Sequence, residues 1–480
     1  MKKMTKKMLA LLMVLTLAIA MLTACGGKTD DDDKNNDEQT PAEDTNDQKD
    51  TDETPDPTPT EEPAMDLGGM DITIGDWWTS AEPAEPKNQQ EEDTLAYRNS
   101  IQEKYNFTMK QVAISDWGGM QELTTTSIMA GDPAADIILL QPDWTAQPLA
   151  NGLLYDLATL EYFDFTQSKW NQNTIEMMTY GDSIYGMSAG KSEPRGGLFW
   201  NKRLFEEAGL DPDLPYDLQA SGDWTWDEFE EICVKLTRDT NSDGTIDTYA
   251  MVSFSTDMLK AIATSNGAKF IGKDENGKFY NAAKDPEFLE AAQWGVGLIE
   301  AGYEMPKIDE AANWDWFIPA FHDAKVAMQF AEQYKVGTWA DMTDDWGFVL
   351  PPKPSKDDPY RVYFFDNIVV MPSTHDAETA KKLSFAYNLW TNPTPGYEDE
   401  TDAWKEGYYP NFRDARAVDE TLVLMFDPET EVINDYISFV YGTDTGPDFY
   451  WDVYGLAQTP AEKIEELSNK WESLINDANK

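Results

Sequence analysis

Cysteine and histidine are nearly missing from this chain of 480 residues, which has two of each. Two cysteines cannot form a disulfide framework. With only His322 and His375 beside them, a His/Cys zinc site or a Ser-His-Asp hydrolase is poorly supplied. Positive charge is also scarce, with 37 lysines and arginines against 89 aspartates and glutamates and a formal net charge of −52. Nucleic acid would be repelled almost everywhere, and no basic cluster outside the extreme N-terminus offsets that. The glycine-rich phosphate loops GxxxxGK[ST] and GxGxxG and the metallohydrolase motif HExxH do not occur. What the chain has is apolar material, 41% hydrophobic and 12% aromatic, enough to bury a core spread over two or more domains.

The N-terminus reads as a targeting segment, residues 1–24. Lys2, Lys3, Lys6 and Lys7 precede an apolar run from Met8 to Met21, which is short for a membrane span. The run ends in Leu22-Thr23-Ala24-Cys25-Gly26. This resembles the lipobox of bacterial lipoproteins, and the resemblance implies that Cys25 is acylated and becomes the first mature residue; an ordinary signal peptide is the alternative. Multiple acyl chains would hold the protein on a membrane. Residues 25–66 then read as a disordered acidic tether, since they lack apolar periodicity and carry a charge of −13 between Lys28 and Asp66.

Beyond the tether, Met70 to Ile74 alternates like a strand and runs into Gly75-Asp76-Trp77-Trp78. Thr94 to Tyr105 reads as a helix, Phe107 to Ile114 as a strand, Gln121 to Ala130 as a helix and Asp136 to Leu140 as an apolar strand. This alternation predicts an α/β fold with a parallel sheet, whose ligands bind beyond the carboxyl ends of the strands. That rule points to Trp77, Trp78, Gln141, Asp143 and Trp144. Thr225 with Glu228, and Thr459-Pro460 with Glu462, predict capped helix starts, the first helix running from Trp226 to about Leu236. Cys233 falls on the apolar face of that helix and reads as a small buried hydrophobe.

Several stretches together resemble extracellular solute-binding proteins of the family-1 kind, which serve ABC-type importers. They are Ile184-Tyr185-Gly186-Met187, Gly197-Leu198-Phe199-Trp200-Asn201-Lys202-Arg203-Leu204-Phe205 through Gly209-Leu210, Trp224-Thr225-Trp226, Lys325-Val326-Ala327-Met328, Trp346 to Pro351 and Asn392-Pro393. Trp200 stands where that family usually has tyrosine. The resemblance implies a two-lobed periplasmic-binding-protein-like fold of type II with several chain crossings. Lobe 1 would hold residues 67–190 and 372–426, and lobe 2 residues 191–371 and 427–480. Crossings are expected near Met187 to Gly197, Asp366 to Met371 and Met425 to Glu429. It further implies a monomer that binds a small-molecule carbohydrate and delivers it to the transmembrane subunits of an ABC permease. Its place would be the extracellular face of the cytoplasmic membrane of a Gram-positive cell. A tethered adhesin or sensor module would share the fold, and paired carboxylates for glycoside hydrolysis are available by chance among 89 acids.

Asp239, Asn241, Asp243, Thr245 and Asp247, with Gly244 at the sixth position, match the first nine positions of an EF-hand loop, so a structural Ca²⁺ is expected there. Ala250 replaces the usual bidentate glutamate, and a bare Asp/Asn/Gly turn is the alternative. The 17 tryptophans and 21 tyrosines favour a ligand with flat faces and polar edges, such as a sugar, although a peptide or polyol stays open. In the resulting site Trp77, Trp78, Gln141, Asp143 and Trp144 line the first lobe, while Trp200, Glu332, Trp339 and Asp366 join them from the rest of the chain. Trp77 and Trp78 are neighbours in an extended segment, so one should face the ligand and the other pack inward.

Overall fold

A computed structural model of the chain describes residues 65–80, 85–253, 256–307, 316–397, 403–441 and 446–479, all within the unit Pro63–Lys480. The signal segment, Cys25 and nearly all of the tether lie outside the described residues. The elements that matter here are β1 (Met70–Asp76), α1 (Gln89–Tyr105), β2 (Phe107–Ala113), α2 (Met120–Met129) and β3 (Ile137–Leu140), then β4 (Gly196–Asn201), α3 (Leu214–Ser221), α4 (Trp226–Leu236), β5 (Tyr249–Ser253), α5 (Asp257–Ser265), α6 (Pro286–Glu300), β6 (Val326–Glu332) and β7 (Trp346–Val349). After them come β8 (Ile368–Val370), α7 (Ala377–Trp390), α8 (Gly446–Tyr454) and α9 (Pro460–Ala478).

Two sheets result. In the first the order is β8-β3-β1-β2. β2 and β3 run parallel to β1, with Met70 beside Phe107 and Ile74 beside Ile137, and β8 returns antiparallel with Ile368 opposite Leu140. Ile137, Ile138 and Leu140 are buried, as expected for a strand covered by helices on both faces. In the second sheet the order is β7-β4-β6-β5. Here β6 is parallel to β5, while β4 runs against both β6 and β7.

The helices follow from local chemistry. Asn88 caps α1 through Oδ1, which accepts from the Glu91 amide at 2.9 Å, so the helix starts five residues earlier than its apolar pattern suggested. Thr225 caps α4 with a weak 3.4 Å bond to the Glu228 amide, and of the expected reciprocal pair only this half forms. Thr459 and Glu462 form the full pair at α9, with Pro460 at the first helical position. Ile232, Cys233 and Leu236 of α4 are buried, as are Leu467, Trp471 and Ile475 of α9.

Between the sheets the chain runs in adjacent extended segments. Met187 bridges Val369, Pro194 bridges Phe364, and Arg361-Val362 pair in parallel with Glu431-Val432. Met187 and Pro194 fall in the first stretch where a crossing was expected, Val369 in the second, and Glu431-Val432 just after the third. At Gly186 a Cβ would come within 2.5 Å of Ile368 Cγ2, so only glycine lets these segments approach. One boundary needs correction. Residues 403–426 were assigned to lobe 1, yet Ala417, Val418, Thr421 and Leu422 bury themselves against the second sheet. Thr421 Oγ1 donates to the Phe348 carbonyl at 2.8 Å and accepts from Gln219 Nε2 at 3.0 Å. Of that assignment, α7 is the part that packs with the first sheet's core, through Ala380, Leu383 and Ala386.

Candidate functional site

The carboxyl ends of β1 and β3 carry an aromatic wall. Asp76, the last residue of β1, is fully buried, and its carboxylate accepts from the amides of Trp78 (3.1 Å) and Thr79 (3.0 Å), the Thr79 hydroxyl and Gln111 Nε2 (2.6 Å). These bonds turn the chain and fix the direction of the two indoles that follow. Trp77 is half-buried and meets Trp78 and Trp144 edge to face, with centroids 4.5 and 4.8 Å apart. Trp78 is 47% exposed, so it is the outer ring of the pair. Trp144 is buried behind Trp77, and Trp117, 59% exposed, leans on it at 5.7 Å while its Nε1 donates to Gln141 Oε1 at 3.0 Å.

Facing this wall is the matching end of the second sheet. Because β4 is antiparallel, its start rather than its end lies beside Glu332, the last residue of β6. Glu332 accepts from the Tyr363 hydroxyl at 2.9 Å and lies 3.7 Å from Lys260 Nζ. Tyr334 follows, 48% exposed, with the Arg195 guanidinium 4.9 Å from its ring centroid. A cavity of about 240 Å³ joins the two sides at the base, lined by Asp143 of the first side and by Asp257, Lys260, Tyr363, Asp435 and Ser438 among others. Burial pushes the Asp143 carboxyl up, opposed by the Ser438 hydroxyl and the Lys260 charge, and burial likewise raises Asp435 to about 6. A larger hollow of about 570 Å³ lies at the β5 edge of the second sheet, where Ser253, Glu304, Trp316, Trp451 and Tyr454 line it. No residue of the first sheet reaches it, so the smaller cavity is the better candidate.

Of the other expected site residues, Asp366 lines a small hollow with Asp435 and Ser438, beside the cavity, while Trp200 and Trp339 stand elsewhere. Trp200 is fully buried with its Nε1 donating to the Pro212 carbonyl at 2.8 Å and its ring edge-on to Tyr216 at 4.6 Å. It belongs to the core because it sits near the far end of an antiparallel strand, where the strand-end rule points away from the cleft. Trp339 is buried between Phe199 and Phe321, at 4.7 and 5.3 Å, and is likewise a core residue. Asp366 fastens the crossing segments, accepting from Ser192 Oγ (2.5 Å), the Glu193 amide (3.0 Å) and Asn171 Nδ2 (3.2 Å), and burial raises its pKa. Tyr334, Asp257, Lys260 and Tyr363 were not anticipated. Reading Tyr249 to Ser253 as a strand would have flagged Asp257 and Lys260, since both lie just past its carboxyl end.

The Asp239–Asp247 loop is exposed and closed on itself. Asp239 accepts from the amides of Asp243 and Gly244, Asn241 Oδ1 from Asp243, and Asp243 Oδ1 from Thr245, while Asp247 accepts from Thr240 and Asn241. Gly244 takes φ +86°, the turn expected at the sixth position. Among the described residues no three His, Cys, Asp or Glu side chains gather closely enough to hold a metal.

Comparison with known proteins agrees with this architecture. A family of bacterial extracellular solute-binding proteins matches residues 96–422. Among solved structures, the chain resembles a cyclic alpha-maltosyl-1,6-maltose binding protein of Arthrobacter globiformis at a TM-score of 0.62 and 16% identity, over 85% of this chain and 100% of that one. An ABC substrate-binding protein of Listeria monocytogenes in complex with cycloalternan matches at 0.59 and 17%, over 85% and 98%. The GacH receptor of Streptomyces glaucescens, solved with acarbose, matches at 0.58 and 15%, over 85% and 99%. No curated protein sequence matches. No helix among the described residues is long and apolar enough to cross a membrane.

Proposed function

Since this chain belongs to the bacterial extracellular solute-binding proteins, we propose that it is the monomeric, lipid-anchored receptor of an ABC-type importer, holding an oligosaccharide between its two lobes and handing it to the permease. The observation that carries this reading is the polar cavity of about 240 Å³ that Asp143, just past β3, shares with Lys260 and Tyr363, with the exposed rings of Trp78 and Trp117 near the same strand ends of the first sheet. Flat rings cover the apolar faces of sugars while carboxylates and amides take their hydroxyls. Ligand contact with both lobes favours the closed arrangement that a permease can recognise, and no chemical step is required. The sugar ligands named for the similar structures support the same reading. The acidic cleft base argues against an anionic solute.

The test is binding of an oligosaccharide panel by calorimetry, with Trp78→Ala as the probe. At ~25 cal/mol per Å² of apolar surface, losing this ring is expected to cost on the order of 1 to 3 kcal/mol of binding, roughly 5- to 150-fold in Kd. Thermal stability should change little because the ring is half exposed. An unaltered Kd in both Trp78→Ala and Trp117→Ala would remove the aromatic wall from the site. For anchoring, Cys25→Ala is expected to shed the protein into the medium, and its retention in membranes would refute the lipid anchor.

We also propose calcium at the Asp239–Asp247 loop, supported by the hard oxygen ligands in EF-hand spacing and by the left-handed turn at Gly244. Chelator should lower the melting temperature and added Ca²⁺ restore it, an effect lost in Asp243→Ala. Identical melting curves with and without chelator would leave the loop as a turn closed by its own hydrogen bonds.

A further inference from the structure

The larger hollow at the β5 edge has no part in the cleft, and its walls differ in kind from the cleft base. Tyr249 of β5, Trp316 and Phe317 ahead of β6, and Trp451 and Tyr454 of α8 give it five aromatic side chains, to which Ile299 and Met305 add aliphatic surface. Apart from the tyrosines, its ionisable residues are Glu304 and Lys307, and Lys307 is exposed.

Glu304 is only 7% exposed. Its Oε1 takes two donors, the Tyr454 hydroxyl at 2.6 Å and the Ser253 amide at 3.2 Å. Its Oε2 has no donor among the described residues. That oxygen is not one of the polar atoms sealed from solvent, so it opens into the hollow that the residue lines. No cation among the described residues pairs with it, and burial alone raises its pKa.

An apolar chamber with one open carboxyl oxygen restricts what can fill it. A sugar would leave most of its hydroxyls against Ile299, Met305 and Phe317 without partners. A carboxylate would be repelled whenever Glu304 is ionised, and a cation would lose its partner whenever Glu304 holds its proton. A hydroxyl fits both forms, donating to the carboxylate and accepting from the acid. Five aromatic side chains suit a flat ring system, and a volume of about 570 Å³ has room for fused rings. We propose that this hollow is a second ligand site, separate from the cleft, and that it takes an uncharged fused-ring phenol whose hydroxyl meets Glu304 Oε2. Among the described residues no part of the first sheet lines it, so its occupant does not bridge the two sides of the cleft.

Calorimetry on the purified protein at pH 8, where Glu304 is ionised, tests this with 2-naphthol, 2-methoxynaphthalene and 2-naphthoate. 2-Naphthol should bind one to one, about tenfold or more tighter than the ether, which has no proton to give, and than the repelled carboxylate. In Glu304→Gln an amide nitrogen can face the hollow and donate to either oxygen, so the preference for naphthol over its ether should fall toward one. Trp451→Ala, checked for folding by its melting curve, should weaken naphthol and ether alike, because it removes ring surface and leaves the hydroxyl its partner. Absence of naphthol binding, equal binding of naphthol and ether in the parent, or a preference that survives Glu304→Gln would overturn the proposal. None of these results bears on the sugar cleft.

Discussion

Replacing Trp200 by alanine is expected to destabilise the fold by about 3 to 5 kcal/mol, the cost of emptying a fully buried indole site that cannot collapse. The site is rigid because of what surrounds it. Trp200 pairs with Gly347 across β4 and β7, and the indole lies so close over that glycine that a Cβ there would approach Cη2 to 2.1 Å. The substitution also orphans the Pro212 carbonyl, which now accepts from the indole nitrogen at 2.8 Å. Chemical denaturation measures the loss, and the affinity of the folded fraction for its ligand should be unchanged, since no part of the ring reaches the cleft. A weakened affinity with an unaltered denaturation curve would return Trp200 to the binding site. The aromatic stretch that carries the family resemblance thus acts in stability, not in recognition.

Glu304 is expected to produce the largest pH effect. It is buried beside β5, where Oε1 accepts from the Tyr454 hydroxyl at 2.6 Å and the Ser253 amide at 3.2 Å, and burial raises its pKa from 4.5 to about 7. The native state therefore holds this proton over a range in which the unfolded chain has released it. Stability falls as pH rises from about 4.5 to 7, and the loss is complete above that window. At 1.36 kcal/mol per unit the shift amounts to about 3 kcal/mol. Glu304→Gln keeps an oxygen for both donors and removes the titration. It should be more stable than the parent at pH 8 by about that amount and nearly equal at pH 4. Equal pH dependence in parent and variant would assign the slope to other carboxylates, of which Asp435, raised to about 6, is the first to test.

Much of the architecture was legible because it is local. The strands and helices of the first sheet carry their periodicity in short runs, and the Thr459, Pro460 and Glu462 start of α9 is written in three side chains whose partners lie within one turn. The directions of Trp77 and Trp78 were not legible in this way, because the turn fixed by the buried Asp76 carboxylate sets them rather than the alternation of extended backbone. Expectations failed where pairing direction between distant strands decided the outcome. Trp200 and Glu332 lie 132 positions apart in sequence and occupy two strands of one sheet, yet only Glu332 reaches the cleft. Trp339 failed for a related reason: nothing near it in sequence says that Phe199 and Phe321 close over it.

From the sequence alone came the α/β class of the chain and its acidic composition, poor in histidine and cysteine. Those properties are sums or short-range patterns, and they do not depend on how the chain closes. Only the tertiary structure decided which aromatic rings remain exposed and that Ala417, Val418, Thr421 and Leu422 pack against the second sheet. Exposure and charge balance are set by contacts between segments far apart in the chain, because a side chain's solvent and its counterions are supplied by whatever the fold brings beside it.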